Sequence, residues 1–374
     1  MIRKPANNRL LKQIRKVEID MRKAWEKNIR TVVPYTPGEQ PKFLEMVKLN
    51  TNENPYPPSP RVKEALDAIN YENLRLYPDP ACEELVAALA ARYQVSPEEV
   101  FVGVGSDDVL SMCFLTFFHS GKPIFFPDVT YSFYDVWADV YGIPYERQPL
   151  NDRFEIVKED YYRENGGVIF PNPNAPTGLL MELSEIEEII RHNQDVVVVV
   201  DEAYIDFGGK SAVELIHKYD NLLVVQTFSK SRSMAGMRIG YAMGNKDLIR
   251  YLSDVKYSVN SYTMNLPALA AGKAALEDEG YFQENVNRII STREWTKKEL
   301  SKLGFTFGDS KANFIFATHE RFQARELFEA LKIKKIFVRY FNKPRIDNYL
   351  RISIGTDQEM DTLLEFLKKY VKEN

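Results

Sequence analysis

Cysteine is nearly missing from this chain. Cys82 and Cys113 are the only two among 374 residues, and no CxxC joins them. That excludes a disulfide framework and a cysteine-built zinc site. The four histidines, His119, His192, His217 and His319, are scattered without metal-ligand spacing, so no metal is expected. No run approaches the roughly 18–20 apolar residues that span a bilayer. The N-terminal segment MIRKPANNRLLKQIRKVEIDMRK is basic but lacks the apolar centre of a signal peptide. A large excess of either charge is missing too. The net charge of −4 gives no hint of a nucleic-acid or anionic-membrane partner. No repeat or low-complexity tract is present. What remains is an ordinary globular balance, 44% hydrophobic and 27% charged, with length for one large and one smaller domain. A cytoplasmic enzyme is the default expectation.

What is present is an alternation of apolar strands and helical segments. VFVGVG, PIFFPD, VIFPNP, VVVVVD, LLVVQTF and RIGYAMG are each followed or preceded by amphipathic stretches. Strands that are apolar throughout and joined by helices imply an α/β fold, with a mainly parallel central sheet covered on both faces. Ser59 with Pro60, and Asp79 with Pro80, mark helix starts. Ser96/Glu99 and Ser184/Glu187 have capping-box spacing. Residues 1–31 read as a charged helical arm, and 32–41 as an irregular Pro/Gly segment. The expected division is an N-terminal arm over 1–48 contributing to the small domain, a large domain over 49–275, and a small α+β domain over 276–374.

Chemistry concentrates in TFSKSRSMAGMRIGY (227–241). Lys230 follows a buried strand, where an ammonium is costly to desolvate but well placed to bond a carbonyl cofactor. Asp201 follows five valines at another strand end. A lysine for an aldehyde and a buried carboxylate for a pyridinium nitrogen together suggest pyridoxal 5'-phosphate, PLP. Arg238 offers a planar fork to a phosphate, and Ser229 a hydroxyl. Tyr204 suits the cofactor's phenolic oxygen, and Tyr131 suits stacking on its ring. GVGSDD (103–108) places a helix N-terminus for a phosphate. It lacks the third glycine of a dinucleotide fingerprint, and no P-loop motif occurs. PNPNAPTG (171–178) reads as a rigid loop presenting Asn174 as a donor.

In this order the pieces resemble the fold-type I PLP-dependent aminotransferases over nearly the whole chain beyond residue 30. Within that superfamily LNTNENPYPPSP, PYTPGEQP, DEAYIDF, TFSKSRSMAGMRIGY and YLRISIGT are similar to the histidinol-phosphate aminotransferase family. The resemblance implies that Lys230 bonds the cofactor aldehyde and then serves as general base. Asp201 pairs with the pyridinium, Asn174 and Tyr204 with the phenolic oxygen, and Tyr131 stacks on the ring. Ser106, Asp107, Ser229 and Arg238 hold the cofactor phosphate. Tyr56 reaches the phosphate of a neighbouring subunit, which implies a homodimer with shared sites. Arg351 holds the carboxylate of glutamate; Arg339 and Tyr35 hold the substrate phosphate. One departure is Ala175, where many relatives have asparagine immediately before PTG. The implied reaction moves an amino group between L-histidinol phosphate and 2-oxoglutarate. Aromatic amino-acid transamination and threonine-phosphate decarboxylation share much of this motif set.

Overall fold

The computed structural model describes residues 23–43 and 45–374. The chain clusters into two units, Met1–Tyr35 and Thr36–Asn374. Most of the arm expected over 1–31 therefore lies outside the described residues. Its described end holds a single 3-10 turn, Glu26–Asn28, rather than a continuous helix. The β-branched pair Val32–Val33 and Pro34 follow, and none of these favours a helix.

In the second unit, β1 (Val47–Lys48) comes first. The helix expected at Pro60 forms as α1 (Pro60–Asp67), with the Ser59 side chain accepting from the Arg61 N–H. Asp79 accepts from the N–H groups of Ala81 and Glu83 at 2.9 and 2.6 Å, just ahead of α2 (Glu83–Tyr93). The Ser96/Glu99 box forms around a 3-10 turn. The second box is shifted: Glu182 and Glu185 form it, and the helix begins at Leu183. Starting there places Ile186, Ile189 and Ile190 on the buried face.

Seven strands build the main sheet: β2 (Val100–Gly103), β3 (Ile124–Pro127), β4 (Tyr145–Gln148), β5 (Val168–Pro171), β6 (Val198–Asp201), β7 (Leu222–Thr227) and β8 (Gly240–Gly244). Their order is β2-β8-β7-β6-β5-β3-β4, with β8 antiparallel to both neighbours and the remaining pairs parallel. The charged edge strand β4 (YERQ) carries no apolar run and was not anticipated. Side chains alternate between two cores: Val198, Val200, Leu222 and Val224 face one, Val199, Leu223 and Val225 the other. Pro171, Asp201 and Val225 are in register. Gly103, Gly240 and Thr227 are likewise aligned. The carboxyl ends of β2, β5, β6 and β7 thus fall along one sheet edge, where open α/β sheets bind ligands.

A second sheet has the order β12-β13-β10-β9, from β9 (Phe305–Phe307), β10 (Phe314–His319), β12 (Arg339–Tyr340) and β13 (Leu350–Ser353). The short β11 (Ile336–Phe337) pairs in parallel with β1. Long helices over Glu279–Lys302 and Asp357–Glu373 contribute Val286, Ile289, Met360 and Leu364 to this core.

Candidate active site

Asp201 ends β6 with its side chain buried against the aromatic cluster around Tyr134. The Tyr134 hydroxyl donates to Oδ2 at 2.9 Å, and the Ala203 N–H donates to Oδ1 at 3.3 Å. Burial pushes the carboxyl up from 3.8 to about 6, although both hydrogen bonds pull the other way. A cationic partner would reverse that rise, as a protonated pyridine nitrogen can. Lys230 is half-buried in the loop after β7. Its Nζ donates to the Thr51 carbonyl at 3.2 Å and lies 5.7 Å from the Tyr204 ring centre. Tyr204 is buried, its ring edge-on to Phe314 at 5.0 Å.

The phosphate-type cradle forms where Gly105, in left-handed conformation, precedes the helix α3 (Ser106–Phe117). A side-chain carbon on Gly105 would come within 2.5 Å of the Arg238 guanidinium. One on Gly240 would come within 2.2 Å of the Ser106 nitrogen. Only glycine permits this closeness. Arg238 itself is left-handed at φ 54°, a strain retained where the fold overdetermines the site. Its Nη1 donates weakly to Ser229 Oγ at 3.5 Å, and Nη2 to Asp107 Oδ2 at 3.2 Å. The other Asp107 oxygen accepts from the Tyr131 hydroxyl at 2.7 Å. Asp107 can therefore serve an anion through its N–H, not through its carboxylate, which is an acceptor only. Helix N–H groups, Arg238, Ser229 and a buried carboxylate beside a lysine fit PLP in chemistry and position.

Asn174 differs from expectation. Its two amide hydrogens go to the Val129 carbonyl at 3.0 Å and Thr177 Oγ1 at 3.1 Å, and its oxygen accepts from Thr130. Asn174 thus ties its loop to Val129 and Thr130 after β3, and neighbouring Ala175 offers no side-chain donor.

Arg339 and Arg351 are direct cross-strand partners on β12 and β13, each with its guanidinium 5.6 Å from the Phe341 ring centre. Like charges facing each other are unfavourable unless an anion intervenes. Arg351 also donates to the Asn50 carbonyl at 3.1 Å. Adjacent carbonyls of one segment, Asn50 and Thr51, thereby touch Arg351 and Lys230 and hold them at one site. Tyr35 ends the first unit and is half-exposed. Tyr56 is buried under the Arg288 guanidinium, 3.8 Å from its ring centre, within the second core.

Several residues here escaped sequence reasoning. Tyr134 reads as one more aromatic in SFYDVW. Thr227, which Ser229 contacts at 3.0 Å, reads as a strand residue. Asn54 donates to the carbonyls of Lys230 and Ser231, both at 3.1 Å. The three asparagines of NTNEN, two apart, were the available signal.

A family model for aminotransferase class I and II matches residues 45–367. The chain belongs to that family, with its fold-type I architecture. Within it, the chain is a member of the histidinol-phosphate aminotransferase group. It is 52% identical to the histidinol-phosphate aminotransferase of Lactococcus lactis subsp. cremoris strain MG1363, over 93% of this chain and 98% of that one. With the Clostridium beijerinckii protein of that name it shares 51% identity, over 95% and 99%. The Sinorhizobium meliloti histidinol-phosphate aminotransferase, solved in complex with pyridoxal-5'-phosphate, has the same fold at a TM-score of 0.80 and 24% identity, over 87% of this chain and 90% of that one.

Proposed function

We propose that this protein transfers an amino group between L-histidinol phosphate and 2-oxoglutarate, giving imidazole acetol phosphate and L-glutamate in histidine biosynthesis, with PLP as cofactor. The observation that carries the reading is the facing pair Arg339 and Arg351, tied through Asn50 and Thr51 to Lys230. One site must accept a carboxylate and a phosphate in turn, and a guanidinium fork suits either. Bound PLP supplies an aldehyde for the substrate amine and a ring that takes up the electron pair of the broken Cα–H bond. Asp201 holds the ring-nitrogen proton. Lys230 Nζ moves the proton at the substrate Cα. Tyr204 donates to the phenolic oxygen. Ser106, the Asp107 N–H, Ser229 and Arg238 bind the cofactor phosphate, and Tyr131 covers the ring. Arg351 takes the glutamate carboxylate, and Arg339 the substrate phosphate. Residues 49–275 carry the cofactor contacts, and 276–374 the two arginines.

We further propose a homodimer in the cytoplasm in which Tyr56 serves the partner's site. Among the described residues, no helix is long and apolar enough to cross a membrane. Tyr71, Leu74, Leu76 and Tyr77 are exposed, and Tyr77 stacks on the exposed Tyr262 at 4.5 Å. Apolar surface of this extent marks an association face.

The deciding experiment mixes the PLP-loaded protein with histidinol phosphate, phenylalanine or O-phosphothreonine. Cofactor absorbance and evolved carbon dioxide are followed. Rapid loss of the visible band with histidinol phosphate alone, without gas, is the expected result. Conversion by phenylalanine instead would move the function to aromatic transamination.

A further inference from the structure

Asn52 is buried, in left-handed conformation at φ 56°, and every one of its polar groups is engaged. Its N–H donates to Ser353 Oγ at 2.9 Å, and Ser353 returns its own hydrogen to Asn52 Oδ1 at 2.9 Å. Its carbonyl accepts from Asn313 Nδ2 at 2.9 Å. The reciprocal pair with Ser353 fixes which end of the amide is which. Nδ2 is left facing the Tyr204 hydroxyl, to which it donates at 2.9 Å.

That geometry has a chemical consequence. A hydroxyl oxygen that accepts from an amide must send its own hydrogen elsewhere. We propose that Asn52 is a positioning residue that turns the Tyr204 O–H toward the cofactor's phenolic oxygen, and that Ser353 locks Asn52 in the orientation this requires. The inference rests on the PLP-dependent reading above. Three observations converge on it. Asn174 has both side-chain hydrogens committed, to the Val129 carbonyl and Thr177 Oγ1, and Ala175 has no side-chain donor, so Tyr204 carries this donation without a side chain from PNPNAPTG. Ser353 lies two residues from Arg351 on β13, so the lock is built into the strand that also bears a substrate-binding arginine. Asparagine is also among the residues that best tolerate the left-handed backbone at position 52.

Asn52→Asp keeps shape and backbone but replaces the donor with an acceptor. The Tyr204 hydrogen is then drawn back to the new carboxylate. A donated hydrogen stabilises the phenolic oxygen as an anion and competes for it with the proton that gives the bound cofactor its visible pH titration. Losing the donation raises that midpoint, by about one pH unit. The experiment titrates the visible absorbance of PLP-loaded protein for the unaltered chain, Asn52→Asp, Tyr204→Phe and the double variant. The expected result is an upward shift in Asn52→Asp comparable to that in Tyr204→Phe, with no further shift in the double variant. An unmoved midpoint in Asn52→Asp overturns the proposal. So does a shift that adds in full to that of Tyr204→Phe, because a bare charge effect of the new carboxylate would persist without the hydroxyl. If Asn52→Asp does not fold, Ser353→Ala replaces it; the expected shift is smaller and in the same direction, and no shift overturns the proposal. A protein that gains no visible absorbance with PLP even when unaltered would overturn the PLP reading itself, and this inference with it.

Discussion

A carboxyl group is seldom kept as far from water as Asp201 without a cation beside it. In the chain without cofactor, burial raises Asp201 from 3.8 to about 6 and Glu202 from 4.5 to about 7. Adjacent in sequence, they face opposite sides of the sheet. Glu202 accepts from the Ala212 N–H at 2.7 Å and from Gln226 at 2.8 Å. The sign of the pH effect follows from proton binding. Between about pH 4 and 7 the folded chain holds protons that the unfolded chain has released, so its stability falls as pH rises through that window. Asp201 alone contributes about 3 kcal/mol of this loss. Asp201→Asn is therefore expected to stabilise the cofactor-free protein at pH 7.5 and to flatten its dependence on pH, while weakening PLP binding at least tenfold. Thermal melts across pH 4–8 and a PLP titration check both halves. A variant with unchanged melting at pH 7.5 would show that the carboxylate is not desolvated.

At the scale of elements, the site depends on how closely β8 passes the start of α3. Gly240 leaves no room for a side chain, since a Cβ there would overlap the Gly105–Ser106 peptide at 2.2 Å. Gly240→Ala must push the cradle apart. A loss of about 1–3 kcal/mol is expected, together with weaker PLP binding. Gly280, at the second position of the helix Glu279–Lys302, has nothing within 4 Å of a built Cβ, so Gly280→Ala is expected to be neutral or slightly stabilising. Urea midpoints of the two variants make the comparison. Equal losses would contradict the close-approach account.

For the whole molecule, the exposed tyrosines decide. Tyr77 and Tyr262 stack on each other with their outer faces to solvent, 81% and 45% exposed. Sedimentation equilibrium is expected to give twice the mass of one chain. Tyr77→Glu combined with Tyr262→Glu is expected to give a monomer with little activity. A monomeric double variant with full turnover would refute sites completed across the interface.

The sequence by itself determined the elements and the chemistry at strand ends. Runs such as VVVVVD and LLVVQTF can only be strands covered on both faces, and a lysine and an aspartate at their ends declare themselves because burial makes them costly. The edge strand β4 was hidden because only one of its four residues is fully buried. Tertiary structure alone decided which polar groups meet. Asn174, which reads as a cofactor donor, spends its hydrogens on Thr177 in its own loop and on the Val129 carbonyl 45 positions away. Asn52 reaches across 152 positions to Tyr204 and across 301 to Ser353. Hydrogen-bond direction depends on where every neighbouring donor and acceptor lies, and no local pattern of residues encodes that.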